Sequence, residues 1–399
     1  MLWGCYPAPV DPVDIIGPDH PFERAPWVQK IDQTSAVILW MIREDASTDS
    51  AGEVEYRFPG QEWLPAPAID RTNRIRQATL TGLPGATEIE YRVLTSADPV
   101  MSRFRTAPPA GFSPVRLLLF GDSGWGGEEQ VDLARRMHEV TWDLLVHLGD
   151  VAYEDGTETE LTRRHFRVYA DILATTPMFP AVGNHDLHTN EGAAYDDAFV
   201  WESPYAGERY YEFRWGIVQF VVLDTSSPLA GEELRSGKGR QYDWVDRVLR
   251  SAHEDSTVAW TIVAMHHPVI SHGLGISGHG GDRRLRAVLV PLFEKWGVDL
   301  VAAGHEHHYE RSRPIRAGRR VPRGCGPVYL VAGAAGASRY GRGVGSSSIS
   351  AFSSRRHSFV DLSIESGAMK GRVIQRDGDL LDEFQILSYP REDAIACPE

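Results

Sequence analysis

The sequence predicts a chain of two parts, an all-β unit followed by a larger α/β layered domain. Three observations predict it. Between Trp27 and Thr106, short runs alternate apolar and polar residues and are broken by glycine and proline, as half-buried strands require. After Ala107-Pro108-Pro109-Ala110-Gly111, short apolar runs alternate with stretches of helical period. Several of those later runs end in Asp, Asn or His next to a glycine.

The 399 residues accommodate two or three domains, and 42% hydrophobic with 24% charged residues is a globular composition. A formal charge of −14 argues against a nucleic-acid-binding face, although a local basic pocket is compatible with it. No apolar run approaches the ~18 residues that cross a bilayer. Met1–Pro9 lacks the charged start and apolar core of a signal peptide. Leu2-Trp3-Gly4-Cys5 resembles a bacterial lipoprotein cleavage site that would lipidate Cys5, with Trp3 departing from that motif. Three cysteines are too few for a disulfide framework, but Cys325 and Cys397 would be free to pair in an exported protein.

Taken in order, residues 1–24 are rich in proline and aspartate without a sustained period and read as an arm. Residues 25–107 read as strands: Ala36–Met41 is a β-run, and Val54, Tyr56, Phe58 and Ile89, Tyr91, Val93 alternate. The order of these strands, with Leu80-Thr81-Gly82-Leu83-Pro84 before Glu90–Val93, resembles a fibronectin type III sandwich, read as a spacer. Residues 113–399 form the α/β part. Its expected strands are Val115–Phe120, Asp143–Leu148, Met178–Val182, Tyr210–Trp215, Ile217–Asp224 and Val258–Met265. Expected helices are Glu128–Val140, Leu161–Leu173, Gln241–Ala252 and Arg283–Trp296. The strand before Ala302 follows, then β-runs at Val328–Ala332, Ser358–Ile364, Lys370–Gln375 and Phe384–Ser388.

Five strand ends deliver Asp122, Asp150 with Tyr153, Asn184-His185, His266, and His305 with His307. Residues at the carboxyl ends of strands in such sheets converge on one crevice. Carboxylates, imidazoles and an amide oxygen, with no cysteine nearby, suit two hard or borderline cations. A shared carboxylate fits the ~3.5–4 Å separation of two-metal sites, and Asp150 is the candidate. Glycine precedes the first ligand of each loop (Gly121, Gly149, Gly183, Gly304) except His266. Arg235, Lys238 and Arg240, and Arg339, Arg342, Arg355 and Arg356, either clamp a second phosphate or are solvated.

The blocks Asp122-Ser123-Gly124, Gly149–Tyr153, Gly183–Asp186, Val263–His266 and Gly304–His307 resemble the five blocks of calcineurin-type metallophosphoesterases. Tyr153 points within them to the purple acid phosphatases. The resemblance implies a four-layer α/β/β/α sandwich with a dinuclear metal site behind the fibronectin-like unit. It implies that Asp122, Asp150, Tyr153 and His307 hold a ferric ion, while Asp150, Asn184, His266 and His305 hold divalent Fe, Zn or Mn.

His185 would stabilise the transferring phosphoryl group or protonate the leaving oxygen, oriented by Asp186, with Asn184 also facing substrate. A second catalytic histidine is one of His267, His272 and His279, of which His279 matches best. The implied reaction is in-line attack of a metal-bound hydroxide on a phosphate monoester by a secreted, periplasmic or cell-surface acid phosphatase. A phosphodiesterase on the same scaffold, and a non-catalytic surface-binding protein, are the alternatives. Expected partners are phosphorylated small molecules, not nucleic acid polymers.

Overall fold

The computed structural model describes residues 20–45, 52–72, 74–95, 98–272, 281–339, 348–388 and 397. Two four-stranded antiparallel sheets come first. One runs, in spatial order, Phe22–Gln29, Ser35–Ile42, Ile75–Thr81 and Ala68–Asp70. The other runs Leu64–Ala66, Glu53–Arg57, Glu88–Leu94 and Val100–Arg105. Ile38, Trp40, Ile89, Tyr91 and Val93 fill the space between them.

The first strand begins at Phe22, inside the segment read as an arm. Its signal was hidden because both faces are covered. Trp27 packs against Phe166 with ring centroids 4.7 Å apart and donates through Nε1 to the Ala198 carbonyl. Arg24 donates to the Thr162 hydroxyl and the Glu158 carbonyl. A strand buried on both faces loses its alternation, and the register slips between Arg24 and Trp27, across Pro26.

The larger part has two mixed sheets. The six-stranded sheet places Met178–Pro180, Leu144–His147 and Val115–Phe120 in parallel, then Ser358–Ile364, Ala368–Gln375 and Leu380–Leu387 antiparallel. The seven-stranded sheet orders Tyr211–Trp215, Val218–Val222, Trp260–Met265, Leu300–Ala303, Val328–Ala332, Tyr309–Ser312 and Ser350–Ser354. Because side chains alternate across a strand, each strand serves two cores. Leu117, Leu119, Val146, Ile262, Ala264 and Leu330 meet between the sheets. Leu118, Phe120 and Leu145 face outward onto Leu133 and Met137 of helix Glu128–Met137. Val221, Val263 and Val301 face helices Arg240–Glu254 and Arg283–Lys295. The layers are therefore helix, sheet, sheet, helix, as the sequence predicts.

One expected helix is broken. Leu161–Leu173 divides into the end of a short helix at Glu158–Leu161, a π-helical turn at Thr162–Phe166 and a further turn at Ala170–Leu173. The apolar period is interrupted by His165, which is fully buried. Cys325 and Cys397 form a disulfide with their Cα atoms 5.4 Å apart. Cys5, Arg342 and His279 lie outside the described residues. Among the described residues no helix is long and apolar enough to cross a membrane.

Candidate metal centre

The carboxyl ends of five parallel strands in the two sheets meet, and the loops leaving them turn abruptly. Asp122, Asp150 and His305 have φ of 56°, 53° and 67°. Non-glycine residues avoid this left-handed region, so the surrounding fold holds them there at a cost of about 1–3 kcal/mol each. The adjacent glycines answer to crowding. A Cβ on Gly183 would lie 2.1 Å from the Asp150 carboxylate, and one on Gly304 would lie 2.5 Å from that of Asp122.

Two groups of donors result. In the first, the Tyr153 hydroxyl donates to Asp122 Oδ1 at 3.0 Å and lies 3.0 Å from His307 Nε2. Ligand atoms of Asp122, Asp150 and His307 all fall within 4.8 Å of one another. In the second, Asn184 Oδ1 is 3.1 Å from His266 Nε2 and 3.0 Å from His305 Nδ1. Asp150 Oδ2 is 3.4 Å from His266 Nε2, so this carboxylate touches both groups.

The donor chemistry fits cations. His266 Nδ1 donates to the Leu148 carbonyl at 2.8 Å, and His307 Nδ1 to the Ser338 carbonyl at 2.7 Å. A carbonyl only accepts, so each neutral ring carries its proton on Nδ1 and turns the Nε2 lone pair inward. Those lone pairs meet carboxylate and amide oxygens, an arrangement that calls for a positive charge. Burial alone would lower His266, but the Asp150 and Asp122 carboxylates prevail and raise it to about 9. Burial, then the charges of Asp122 and Asp150, push the Tyr153 phenol well above its ordinary value. Only a strongly charged cation would displace that proton.

The floor of the site is dry: Asp122, Asp150 and His266 are at most 1% exposed. Asn184, His185 and His305 are half-buried and form its open side. His185 Nδ1 donates to the Glu154 carbonyl at 2.6 Å, and its ring lies 4.5 Å from that of Tyr153.

Asp186 does not orient His185, contrary to the sequence expectation. Its buried carboxylate accepts from the backbone N–H groups of Gly183 and Val151 at 2.8 Å and Ala152 at 3.3 Å. It ties the Asp150 loop to the Asn184 loop, and burial with the nearby Asp150 charge raises its pKa to about 7. Of the histidines competing for a second role, His267 is bonded to Thr225 at 3.1 Å and His272 to Glu310 at 2.6 Å. His308, at 3.3 Å, shares Glu310. Arg235 is likewise engaged, by Asp282 at 2.8 Å. The carbonyls of Leu148, Glu154 and Ser338, which fix the ring orientations, were missed because backbone groups leave no mark in a sequence.

The calcineurin-like phosphoesterase family profile matches residues 115–309. Purple acid phosphatase 21 of Arabidopsis thaliana is 29% identical over 242 residues, 58% of this chain and 52% of that protein. Acid phosphatase type 7 of Homo sapiens is 28% identical over 254 residues, 59% of this chain and 57% of that protein. An uncharacterised protein of Mycobacterium tuberculosis is 28% identical over 275 residues, covering 61% of this chain and 51% of its own length. The chain thus spans about half the length of these relatives. In fold it resembles the purple acid phosphatase PPD1 of yellow lupin (Lupinus luteus) seeds, with a TM-score of 0.79 and 20% identity over 92% of this chain and 75% of that one.

Proposed function

Because this chain carries a calcineurin-like phosphoesterase domain and is purple acid phosphatase-like, we propose that it hydrolyses phosphate monoesters of small molecules at a dinuclear metal centre. The observation that carries the reading is the meeting of two donor groups through one carboxylate, Asp150. Asp122, Asp150, Tyr153 and His307 would hold a ferric ion, with Asp150, Asn184, His266 and His305 holding divalent Fe, Zn or Mn. Such a pair supplies an acidified water as nucleophile and neutralises charge on the phosphoryl oxygens.

The protein's own groups do the rest. His185, oriented by Glu154, presents Nε2 on the open side, where it donates to the phosphoryl group or to the departing ester oxygen. Asn184, whose amide oxygen meets the imidazoles of His266 and His305, would offer its amide nitrogen as a donor to the bound ester. His279 is retained as the second proton donor. The strained turns at Asp122, Asp150 and His305 fix the donors in advance, so little reorganisation is left to substrate binding.

The Cys325–Cys397 disulfide supports an oxidising location, secreted, periplasmic or cell-surface. The fibronectin-like unit, taken to start at Phe22, serves as a packed spacer. The test is hydrolysis of p-nitrophenyl phosphate and of its bis-ester, with Fe and Zn supplied, by the wild type and by Asp150→Asn. Monoester turnover that falls at least a hundredfold in the variant supports the reading. A strong bis-ester preference would favour a phosphodiesterase. Equal, negligible rates in both proteins would favour a binding protein.

A further inference from the structure

Arg311–Arg323 places six arginines within thirteen residues and contains no acidic residue. Arginine outnumbers lysine along the whole chain, so the residue type alone means little. Its density does mean something, because the chain carries 55 acidic residues against 41 basic ones. Ile315–Arg316 and Arg319–Arg320 pair as a hairpin across Ala317-Gly318, whose φ values are 50° and 72°. The hairpin is held firmly. Ile315 is fully buried, its N–H donates to the Pro327 carbonyl at 3.0 Å, and the Val321 N–H donates to Pro314 at 3.0 Å. The Cys325–Cys397 disulfide closes beside it.

This stretch walls a cavity of about 510 Å³ that Arg311, Arg313, Arg320 and Arg323 share with Glu383 and Phe384. Arg311 is committed to a two-pronged pair with Asp382 at 2.8 and 3.1 Å. Among the described residues Arg313, Arg320 and Arg323 make no ion pair, and Glu383 is the lone carboxylate of the lining. A locally positive cavity therefore sits in a protein of charge −14.

It is not the metal centre. Val328, in its lining, begins the strand whose other end, Ala332, leads to Gly333 against the Asp122 carboxylate. Five residues of strand separate the two by on the order of 15 Å. An anion in the cavity is out of reach of the proposed hydrolytic groups.

We infer that this cavity is a second anion site for a ligand bearing several clustered phosphates. Guanidinium forks match phosphate oxygens two at a time, and three of them on a fixed frame exceed what one phosphate needs. Linked phosphates and a multiply phosphorylated lipid headgroup share this chemistry.

The probes are inorganic tripolyphosphate, followed by calorimetry, and phosphatidylcholine vesicles with and without phosphatidylinositol bisphosphate, followed by sedimentation. The full chain is used, carrying Asp150→Asn to silence hydrolysis. Expected is tripolyphosphate binding that weakens at least tenfold in the Arg313→Ala/Arg320→Ala/Arg323→Ala variant and less in the matching lysine variant. Binding should also weaken between 50 and 200 mM salt. If only the bisphosphate vesicles show the arginine-dependent loss, the source is a headgroup. Binding equal to the parent in the alanine variant, or no binding by the parent to either probe, overturns the inference. In the wild-type background the alanine variant should keep its p-nitrophenyl phosphate rate and thermal midpoint, so failure here leaves the hydrolytic reading untouched.

Discussion

His185 donates through Nδ1 to Glu154, while the adjacent Asp186 turns the other way and gathers three backbone amides. Their substitutions should therefore fail differently. His185→Ala is expected to lower kcat about 10²–10⁴-fold with metal content and melting temperature unchanged. Asp186→Ala leaves buried N–H groups unpaired and should cost about 1–3 kcal/mol per orphaned group, lowering both the melting temperature and the metal content. Steady-state kinetics beside metal analysis separates the two, and an Asp186→Ala protein of normal stability would contradict its assignment. Side chains with this much hydrogen bonding are legible in a sequence only as types. His185-Asp186 reads as an orienting pair because neighbours in sequence are easily taken for neighbours in space, and the true partner is a carbonyl thirty-one positions away.

Among the elements, the strand-to-ligand junctions were the legible part. Each is an apolar run that ends in a donor, with a glycine before it in all but the His266 strand, and the carboxyl ends of strands in such sheets do converge. The glycines can be tested individually. Gly183→Ala would drive a methyl group into the Asp150 backbone and carboxylate, 2.1 Å away. It is expected to abolish metal retention while the far-ultraviolet circular dichroism stays native, and full metal loading would contradict the crowding account. The break in the helix predicted over Leu161–Leu173 was illegible for a physical reason. A segment whose polar members are buried, as His165 is among aromatic rings and Thr162 is beneath Arg24, carries no clean amphipathic period. The same cause hid the first strand, whose outer face is covered by the α/β layers.

Over the whole molecule, the sandwich is docked by specific bonds. Arg71 donates to the carbonyls of Asp196, Asp197 and Phe199, and the Tyr91 hydroxyl to that of Ala174 at 2.8 Å. Three buried histidines are held neutral. Burial lowers His147 to about 3, His165 well below its ordinary value and His357 to about 4. The unfolded chain takes up these protons below its own pKa of about 6.5, whereas the folded one refuses them. Stability must then fall as pH drops from about 6.5, by up to about 1.4 kcal/mol per unit for each histidine.

Among the described residues His165 has no hydrogen-bond partner at either ring nitrogen, and it is ringed by Phe166, Tyr169 and Phe199. His165→Phe is thus expected to flatten the loss between pH 6 and 4.5 in denaturant titrations; a steeper loss would contradict it.

The central claim, that residues from Asp122 to His307 gather around two cations, is tested most directly by counting metal atoms per chain by plasma mass spectrometry after loading with Fe and Zn. The wild type is expected to retain about two, one of them iron, and Asp150→Asn fewer than one, because the lost carboxylate serves both positions. A wild type that retains no more metal than Asp150→Asn would contradict the account.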